Sequence, residues 1–197
     1  YEKNKTLGRK FLVAGKGGFN LTHSESISEL IERYTPSSFL KNALLSFTNN
    51  DFRKWLHDIG IPTYVGSSKR VYPEEHIKPI TVLKTVLNHL KSKGINFKYN
   101  HVFSGWDNQN NLIINNEITS SDYTVFSLGG GSWKITGSDG IWLKTFEEKG
   151  VKTMPFEASN CAFKIDWNSK FIQENEGVPI KNITISCGKK QQKGEAV

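Results

Sequence analysis

The chain has 197 residues, enough for one ordinary domain and part of a second, and its 37% hydrophobic and 12% aromatic content is that of a globular protein. A formal charge of +7 and a pI near 9.3 favour anionic partners, such as a dinucleotide or a nucleic acid. No apolar run approaches the roughly 20 residues that cross a bilayer, and the N-terminus has no apolar signal-peptide core. The sequence therefore predicts a cytoplasmic protein with no membrane partner.

The first third of the chain predicts a strand-like run followed by a helical excursion. The apolar run over residues 10–14 stops at the glycine cluster Gly15-Lys16-Gly17-Gly18. Apolar residues at helical spacing then predict three short helices, which start at Ser26, after Pro36, and at Asn50 as a capping residue. Residues 62–73 are predicted to be extended, with a turn in the middle.

The middle of the chain alternates helix and strand. The sequence predicts a helix over 77–92, a strand over 95–99, a β-hairpin over 102–116, a strand over 123–128, a helix over 139–149 and further strands from Val151. This order predicts an α/β fold, in which a β-meander is inserted into one half of a parallel sheet. Ligands bind such sheets beyond the carboxyl ends of the strands. The cluster Gly15–Gly18 and a second one, Gly129-Gly130-Gly131, follow strand-like runs, so both are expected at that edge.

The sequence offers no metal site and no covalent catalyst. The five histidines are scattered, without a pair at i and i+4 that a third ligand supports. Cys161 and Cys187 form neither a zinc pattern nor a Cys-x-x-Cys motif, and both are predicted to be reduced thiols packed inside the fold. We therefore assign no catalytic residue and expect no metal.

The lysines are spread along the sequence instead of forming a linear stripe. The densest group, Lys189-Lys190-Gln191-Gln192-Lys193, is interpreted as a solvated loop. Nucleic acid is therefore not the expected partner. A contiguous basic face on the folded surface would favour RNA, because positive charge alone does not distinguish RNA from a dinucleotide.

Several motifs together resemble a known family. The stretch 8–23 runs Gly-Arg-Lys, an apolar stretch, a glycine-rich turn and then Asn-x-Thr. Four further elements follow in order: Gly66–Pro73, Ser127–Trp133, Thr136–Gly140 and the Asn160-Cys161 step. Over almost the whole chain, this set resembles bacterial FAD-dependent oxidoreductases similar to aminoacetone oxidase.

The resemblance implies a domain organisation and an activity. Residues 1–154 would form a partial FAD/NAD(P)-binding Rossmann-like domain, and residues 155–197 the start of a β-rich insert domain on the substrate side. The chain would be an interior fragment, without the opening Gly-x-Gly-x-x-Gly unit and the C-terminal part, and inactive by itself. The implied activity is FAD-dependent redox chemistry on a small-molecule substrate, with NAD(P)H allowed as electron donor.

Two alternatives to this activity stay open. The first is a nucleotide-fold protein that binds or modifies RNA without redox turnover. The second is a non-enzymatic domain in which the glycine turns are only structural. Bound flavin would exclude the non-enzymatic reading, and salt-sensitive retention of RNA would favour the first alternative.

The same resemblance assigns the cofactor-binding residues. Glu2 would accept hydrogen bonds from the adenosine ribose hydroxyls, and Val102 would meet the adenine edge through its backbone. Arg9, with Lys10 beside it, would donate to the pyrophosphate. Two turns would wrap the FAD with backbone donors; their residues are Gly15, Lys16, Gly17, Gly18, Asn20 and Thr22 in the first and Gly129, Gly130 and Gly131 in the second.

Overall fold

The computed structural model describes residues 1–13, 19–157, 166–178 and 180–196. Contacts divide the chain into two units, Tyr1–Glu157 and Ala158–Val197. Helices and small antiparallel sheets alternate in the first unit. Within the described ranges, no helix combines the length and the apolar character needed to cross a membrane.

Among its described residues the first unit contains twelve α-helices and β-strands, besides one turn of 3-10 helix over Lys134–Thr136. They are α1 (Arg9–Val13), β1 (Thr22–His23), α2 (Ile27–Glu32), α3 (Ser38–Ser46), α4 (Asn49–Asp58), β2 (Thr63–Val65), β3 (Arg70–Pro73), α5 (Pro79–Ser92), β4 (Phe103–Trp106), β5 (Leu112–Ile114), β6 (Glu117–Thr119) and α6 (Trp142–Glu148). One antiparallel sheet has the order β1-β3-β2, and a second has the order β4-β5-β6. The predicted helical excursion, long helix and hairpin are confirmed.

Two capping boxes determine where the helices of the excursion begin. The Ser26 hydroxyl accepts from the backbone N–H of Glu29, whose carboxylate accepts from the N–H of Ser26; Thr48 and Asp51 repeat this arrangement before α4. The predicted cap of α4, Asn50, is wrong, because Thr48 is the residue whose side chain satisfies the first-turn donors. Asn49 turns inward instead and donates to the carbonyl oxygens of His23 and Glu25, at 2.7 and 2.9 Å.

The core of the first unit lies between α4 and α5. Leu56, Ile61 and Val82 are buried there, and half-buried apolar side chains from α1, α4 and α5 pack around them. Helix α1 approaches α5 closely at Gly8, where an added Cβ would lie 2.7 Å from the Leu83 side chain. The positive φ of Gly8, 71°, is a second reason for glycine at this position.

The strand-like interpretation of residues 10–14 is wrong for its described part, because Arg9–Val13 forms a single helical turn. The Leu12 N–H donates to the Gly8 carbonyl at 3.0 Å, which is an i to i−4 helical bond. A run of five residues is too short for its periodicity to distinguish helix from strand. The remainder of that run and the Gly15–Gly18 cluster lie outside the described residues.

Two predicted strands, 95–99 and 123–128, do not form as regular strands. The first is reduced to one parallel bridge between Tyr99 and Glu2. The second has no strand pairing, and Tyr123 and Val125 are 93% and 89% exposed. Strand propensity alone does not hold an extended segment, since its N–H and C=O groups need a neighbouring strand. Residues 151–157, also predicted to begin strands, have no regular structure.

Strand β6 was missed by the sequence reasoning. It is joined to β5 by Asn115 and Asn116, which both have positive φ, 52° and 63°. Two central residues with positive φ form the type I′ turn that matches the twist of a hairpin, and asparagine is among the residues that tolerate it. The Asn-Asn pair was therefore an available hairpin signal.

The second unit contains a short helix and a β-hairpin in its described part. These are α7 (Ser169–Asn175), β7 (Ile180–Cys187) and β8 (Lys190–Ala196). The hairpin agrees with the alternation seen in the sequence, whereas α7 was not predicted. The loop interpretation of residues 189–193 is wrong from Lys190 onward, because Lys190–Lys193 pair with β7 as part of β8. Cys187 is an exposed free thiol, so its predicted internal packing is wrong. Cys161 lies outside the described residues.

Candidate cofactor site

A cavity of about 690 Å³ lies in the first unit, bordered by the N-terminal segment, α1, β5, the start of β4 and the loop before α6. Its volume falls within the range of about 300–1,000 Å³ that is usual for cofactor and ligand pockets. Five of the residues assigned from the sequence line it: Glu2, Arg9, Lys10, Val102 and Gly129. Residues from distant parts of the chain therefore meet at one cavity.

Glu2 is fixed at one wall by its backbone and its carboxylate. Its N–H donates to the Lys98 carbonyl at 2.8 Å, and its own carbonyl accepts from the His101 N–H at 2.9 Å. Carboxylate atom Oε1 accepts from the backbone N–H and from the side-chain amide of Asn4, both at 2.8 Å. No hydrogen bond within the described residues uses Oε2, so this oxygen can accept from a ligand hydroxyl.

Asn4 links the carboxylate of Glu2 to the guanidinium of Arg9. Its amide nitrogen donates to Glu2, and its amide oxygen Oδ1 accepts from Arg9 Nη1 at 3.2 Å. Lys10 Nζ donates to the Ser132 hydroxyl at 2.6 Å on another border of the site. Within the described residues, no carboxylate forms an ion pair with Arg9 or Lys10. Both cations therefore remain available to an anionic ligand.

The glycines of the second cluster have different surroundings. Gly129, with φ of 78°, lines the cavity, and its carbonyl accepts from the Trp142 indole N–H at 2.9 Å. Gly130 and Gly131 are not among the lining residues. A Cβ on Gly131 would lie 3.0 Å from the Phe156 ring, so this glycine makes room for an aromatic side chain. The structure thus brings one of the three to the cavity.

Val102 borders the cavity, but both of its backbone groups are already engaged. Its N–H donates to Asn115 Oδ1 at 2.9 Å, and its carbonyl accepts from the Asn115 N–H at 3.0 Å. A carbonyl has a second lone pair, whereas the N–H has a single hydrogen to donate. An adenine that uses the Val102 N–H would therefore have to displace the Asn115 side chain.

The first glycine turn is only partly described. Gly15, Lys16, Gly17 and Gly18 lie outside the described residues. Asn20 is exposed, and Thr22 belongs to β1, where it pairs with Val71. Neither Asn20 nor Thr22 lines the cavity, and their contact with a cofactor stays a prediction.

Sequence reasoning missed the contacts that hold the loop before α6 against the N-terminal segment. Lys3 Nζ lies 2.9 Å from Asp139 Oδ2. This hydrogen bond from Lys3, together with the Ile141 N–H, lowers the pKa of the Asp139 carboxyl below its usual value. At Gly137, φ is 97° and an added Cβ would lie 2.9 Å from the Asn4 amide nitrogen. The Thr136–Gly140 motif pointed to this loop but not to its partners.

No cluster of three or more His, Cys, Asp or Glu side chains within the described ranges could hold a metal ion. The polar groups that line the cavity include carboxylates, a guanidinium, ammonium groups and hydroxyls, among them those of Glu2, Arg9, Lys10, Thr136 and Ser138. Such groups form hydrogen bonds with sugar hydroxyls and phosphate oxygens.

Comparison with known proteins gives a family, and the curated relatives include an RNA-modifying enzyme. Residues 1–191 match the HI0933-like protein Rossmann domain, a group within the FAD/NAD(P)-binding superfamily. The chain is 24% identical over 201 residues to a ribosomal RNA dihydrouridine synthase of Haemophilus influenzae. That alignment covers 96% of this chain and 48% of the relative, so the chain spans about half the length of the curated relative it matches.

The family match confirms the predicted α/β Rossmann class. The narrower resemblance to aminoacetone oxidase stays a prediction. Because the match covers nearly the whole sequence, the chain belongs to the HI0933-like Rossmann-domain family.

Proposed function

We propose that this protein binds FAD in the cavity and acts as an FAD-dependent oxidoreductase. The observation that carries the proposal is the arrangement of Glu2 and Arg9 on one wall, joined by Asn4. A carboxylate suits the two ribose hydroxyls, and a guanidinium suits the pyrophosphate. When bound, FAD supplies the electron transfer, while the protein supplies binding and orientation.

The residues present fit the adenosine diphosphate half of FAD. Oε2 of Glu2 is unused within the described residues, and Asn4 occupies one of the five N–H groups of Arg9. Lys10 adds a second positive charge at the border of the cavity. Because glycine has no side chain, the backbone at Gly129 is accessible from the cavity. These features support dinucleotide binding without defining a reacting atom.

Visible flavin absorbance of the natural full-length protein tests the proposal. The purified protein is expected to be yellow, and Arg9→Gln should raise the Kd for FAD about ten- to a hundredfold. That range corresponds to the loss of one charge-assisted hydrogen bond, about 1.5–3 kcal/mol. Lys41→Gln is the matched control, because it removes one positive charge from an exposed site on α3. A colourless protein that takes up no added FAD would overturn the proposal.

A second candidate keeps the flavin chemistry but takes RNA as the substrate in place of a small molecule. It is favoured by the name of the curated relative, a ribosomal RNA dihydrouridine synthase, together with the charge of +7. Making dihydrouridine adds two hydrogens across the C5–C6 double bond of uracil, which requires a two-electron reductant such as reduced flavin. RNA modification and redox turnover are therefore compatible, although the sequence reasoning treated them as alternatives.

Single-turnover oxidation separates the two substrate classes. The full-length flavoprotein is reduced without oxygen, with NAD(P)H as the first reductant to try, and is then mixed with uridine-containing RNA. For the RNA candidate, flavin absorbance should return and mass spectrometry should find uridines that have gained two hydrogens. If RNA leaves the reduced flavin unchanged while oxidised protein accepts electrons from a small amine, the small-molecule proposal stands and the RNA candidate fails.

A further inference from the structure

Helix α5 and the segment after it form a region that contains basic residues but no acidic ones. Between Glu75 and Asp107 the chain contains no Asp or Glu but has five lysines, Lys78, Lys84, Lys91, Lys93 and Lys98. All five are exposed. No ion pair within the described residues involves any of them. The positive charge of this region is therefore not neutralised by the protein itself.

The helix gathers residues that are separated in the sequence onto one face. Lys84, Asn88 and Lys91 stand at i, i+4 and i+7, so they project from the same side of α5. Val82, on another side, is buried in the core with Leu56. At 1.5 Å per residue, Lys84 and Lys91 lie about 10 Å apart along the axis. The linear spread of lysines thus becomes a basic face, defined here as Lys84, Asn88 and Lys91.

The helix dipole does not explain this charge pattern. It favours cations in the last turn, which would account for Lys91 and Lys93. It does not favour Lys84 in the middle of the helix, and it disfavours Lys78, which caps the positive N-terminal end. The helix dipole also does not explain why the sequence over residues 76–106, which extends beyond both ends of the helix, has no Asp or Glu. A partner that carries negative charge explains all of these features together.

We propose that the basic face of α5 is a docking surface for the phosphate backbone of RNA. This inference rests on the RNA candidate described above. Lysines supply the charge, and the Asn88 amide adds a donor of the type that contacts phosphate oxygens. A membrane surface fits less well, because a helix lying on lipid needs a continuous apolar face. The exposed Ile80 lies in the first turn of α5 and the exposed Ile95 lies beyond its end, so they do not form one.

The region after the helix connects this surface to the cavity. Lys98 Nζ lies 5.3 Å from the centre of the Tyr1 ring, and Tyr1 lines the cavity. The Tyr1 and His101 rings, both on the cavity border, are 5.5 Å apart. Lys98, in the same acid-free region as α5, therefore places one positive charge beside the border of the candidate cofactor site.

RNA binding of the natural full-length protein tests the surface. A fluorescently labelled, uridine-rich stem-loop is titrated at several salt concentrations and followed by anisotropy. The double substitution Lys84→Gln/Lys91→Gln should raise the Kd about tenfold, and the slope of log K against log[salt] should become about 1–2 smaller, since roughly 0.7–0.9 is lost per phosphate contact. Circular dichroism checks that the variant is folded.

The matched control is Lys54→Gln/Lys144→Gln. It removes the same charge from exposed helix positions, where the lysines pair with Asp58 and Glu148. The control should bind within about twofold of the natural protein, because two paired lysines contribute little to the field at α5. Equal losses in both double variants would mean attraction by net charge alone and would overturn the proposal.

The remaining outcomes separate this proposal from the proposed function. A yellow protein that binds no RNA overturns the docking surface and leaves FAD binding intact. RNA binding that depends on α5 but yields no dihydrouridine supports the surface and removes the RNA-reduction candidate. Binding to phosphatidylserine vesicles without RNA binding, lost in Lys84→Gln/Lys91→Gln, would overturn the proposal in favour of a lipid surface.

Discussion

The α4–α5 layer and the segment 121–128 differ in how far their apolar side chains are buried and in how their backbone groups are hydrogen-bonded. Leu56 and Val82 are buried between the two helices, whereas Tyr123 and Val125 project almost entirely into solvent. A helix satisfies most of its backbone N–H and C=O groups internally, so it needs cover only for one apolar face. An extended segment needs a neighbouring strand for its backbone as well. The helical layer is therefore the self-sufficient part of the first unit.

The segment is nevertheless anchored at one point. The Phe126 ring lies among Phe103, Trp106 and Phe146, with ring centres 5.1, 5.6 and 5.1 Å away. Its neighbour Val125 lines one side of the cavity but is otherwise exposed. Contact with a single aromatic cluster can thus position a segment that no strand pairing supports.

The largest expected effect is in the helical layer. Leu56→Ala should lower the free energy of unfolding by about 3–4 kcal/mol, because it removes buried methyl groups and leaves a cavity. Leu45→Ala on α3 is the control, since that side chain is half exposed, and we expect a change of under about 0.5 kcal/mol. Denaturant unfolding measures both. Equal losses would show that the layer is not where the stability resides.

A smaller loss is expected in the extended segment. Phe126→Ala should cost about 2 kcal/mol, less than a fully buried phenylalanine, because the side chain is partly exposed. Val125→Ala should change unfolding by under about 0.5 kcal/mol. The same denaturant curves compare the pair. A large effect of Val125→Ala would mean that the segment has a partner covering its outer face.

Arg33→Gln tests the ion pair between the two residues that flank α2. Arg33 donates through Nε and Nη2 to the two oxygens of the buried Glu25, at 2.5 and 2.6 Å. The substitution leaves that carboxylate without its main donor, so we expect a loss of about 1–2 kcal/mol at neutral pH. Lys54→Gln, which breaks an exposed pair with Asp58, should leave the stability nearly unchanged.

The pH dependence of this pair has a definite sign. Hydrogen bonding to Arg33 lowers the pKa of Glu25 below its usual value, so its stabilisation is present at neutral pH and lost as pH falls through the lowered pKa. In Arg33→Gln the pKa rises, because burial then opposes ionisation with less compensation. Unfolding curves between pH 7 and 3 should therefore show acid destabilisation of the natural protein only at the low end. Identical pH profiles for the two proteins would contradict the assignment.

The smallest effect is expected at a helix cap. Thr48→Ala should cost about 1 kcal/mol, because the first turn of α4 loses the hydroxyl that accepts from Asp51 N–H. Asn50→Ala, the cap expected from the sequence, should change stability by only a few tenths of a kcal/mol. Thermal or denaturant unfolding distinguishes them. A larger effect at Asn50 would restore the original cap assignment.

Local signals explain which parts of the fold were predictable. Helices α2 to α5 follow apolar residues at helical spacing and, for α2 and α4, capping boxes within four residues. Residues 95–99 and 123–128 have high strand propensity, but no neighbouring strand pairs with them to form a regular ladder. Pairing is a property of two distant segments, and propensity describes only one of them.

The candidate site divides in the same way. The family resemblance pointed to Glu2, Arg9, Val102 and Gly129, which do meet at one cavity. It did not point to Asn4, whose role depends on two neighbours in space, one of them five residues away. The basic face of α5 was hidden because residues three or four apart look dispersed in the sequence and become neighbours only on a helix.

The contact between Lys3 and Asp139 joins residues 136 positions apart, across nearly the whole first unit. The entropic free energy of closing a loop rises by only about 0.6 kcal/mol for each doubling of its length. The long separation therefore does little to destabilise this contact at equilibrium. The contact is nevertheless expected to form slowly, because contacts of high sequence separation form late in folding. We therefore expect the helical layer to assemble first and the cavity wall to close last. Amide hydrogens of the N-terminal segment should then exchange through small, frequent openings that a bound ligand would suppress.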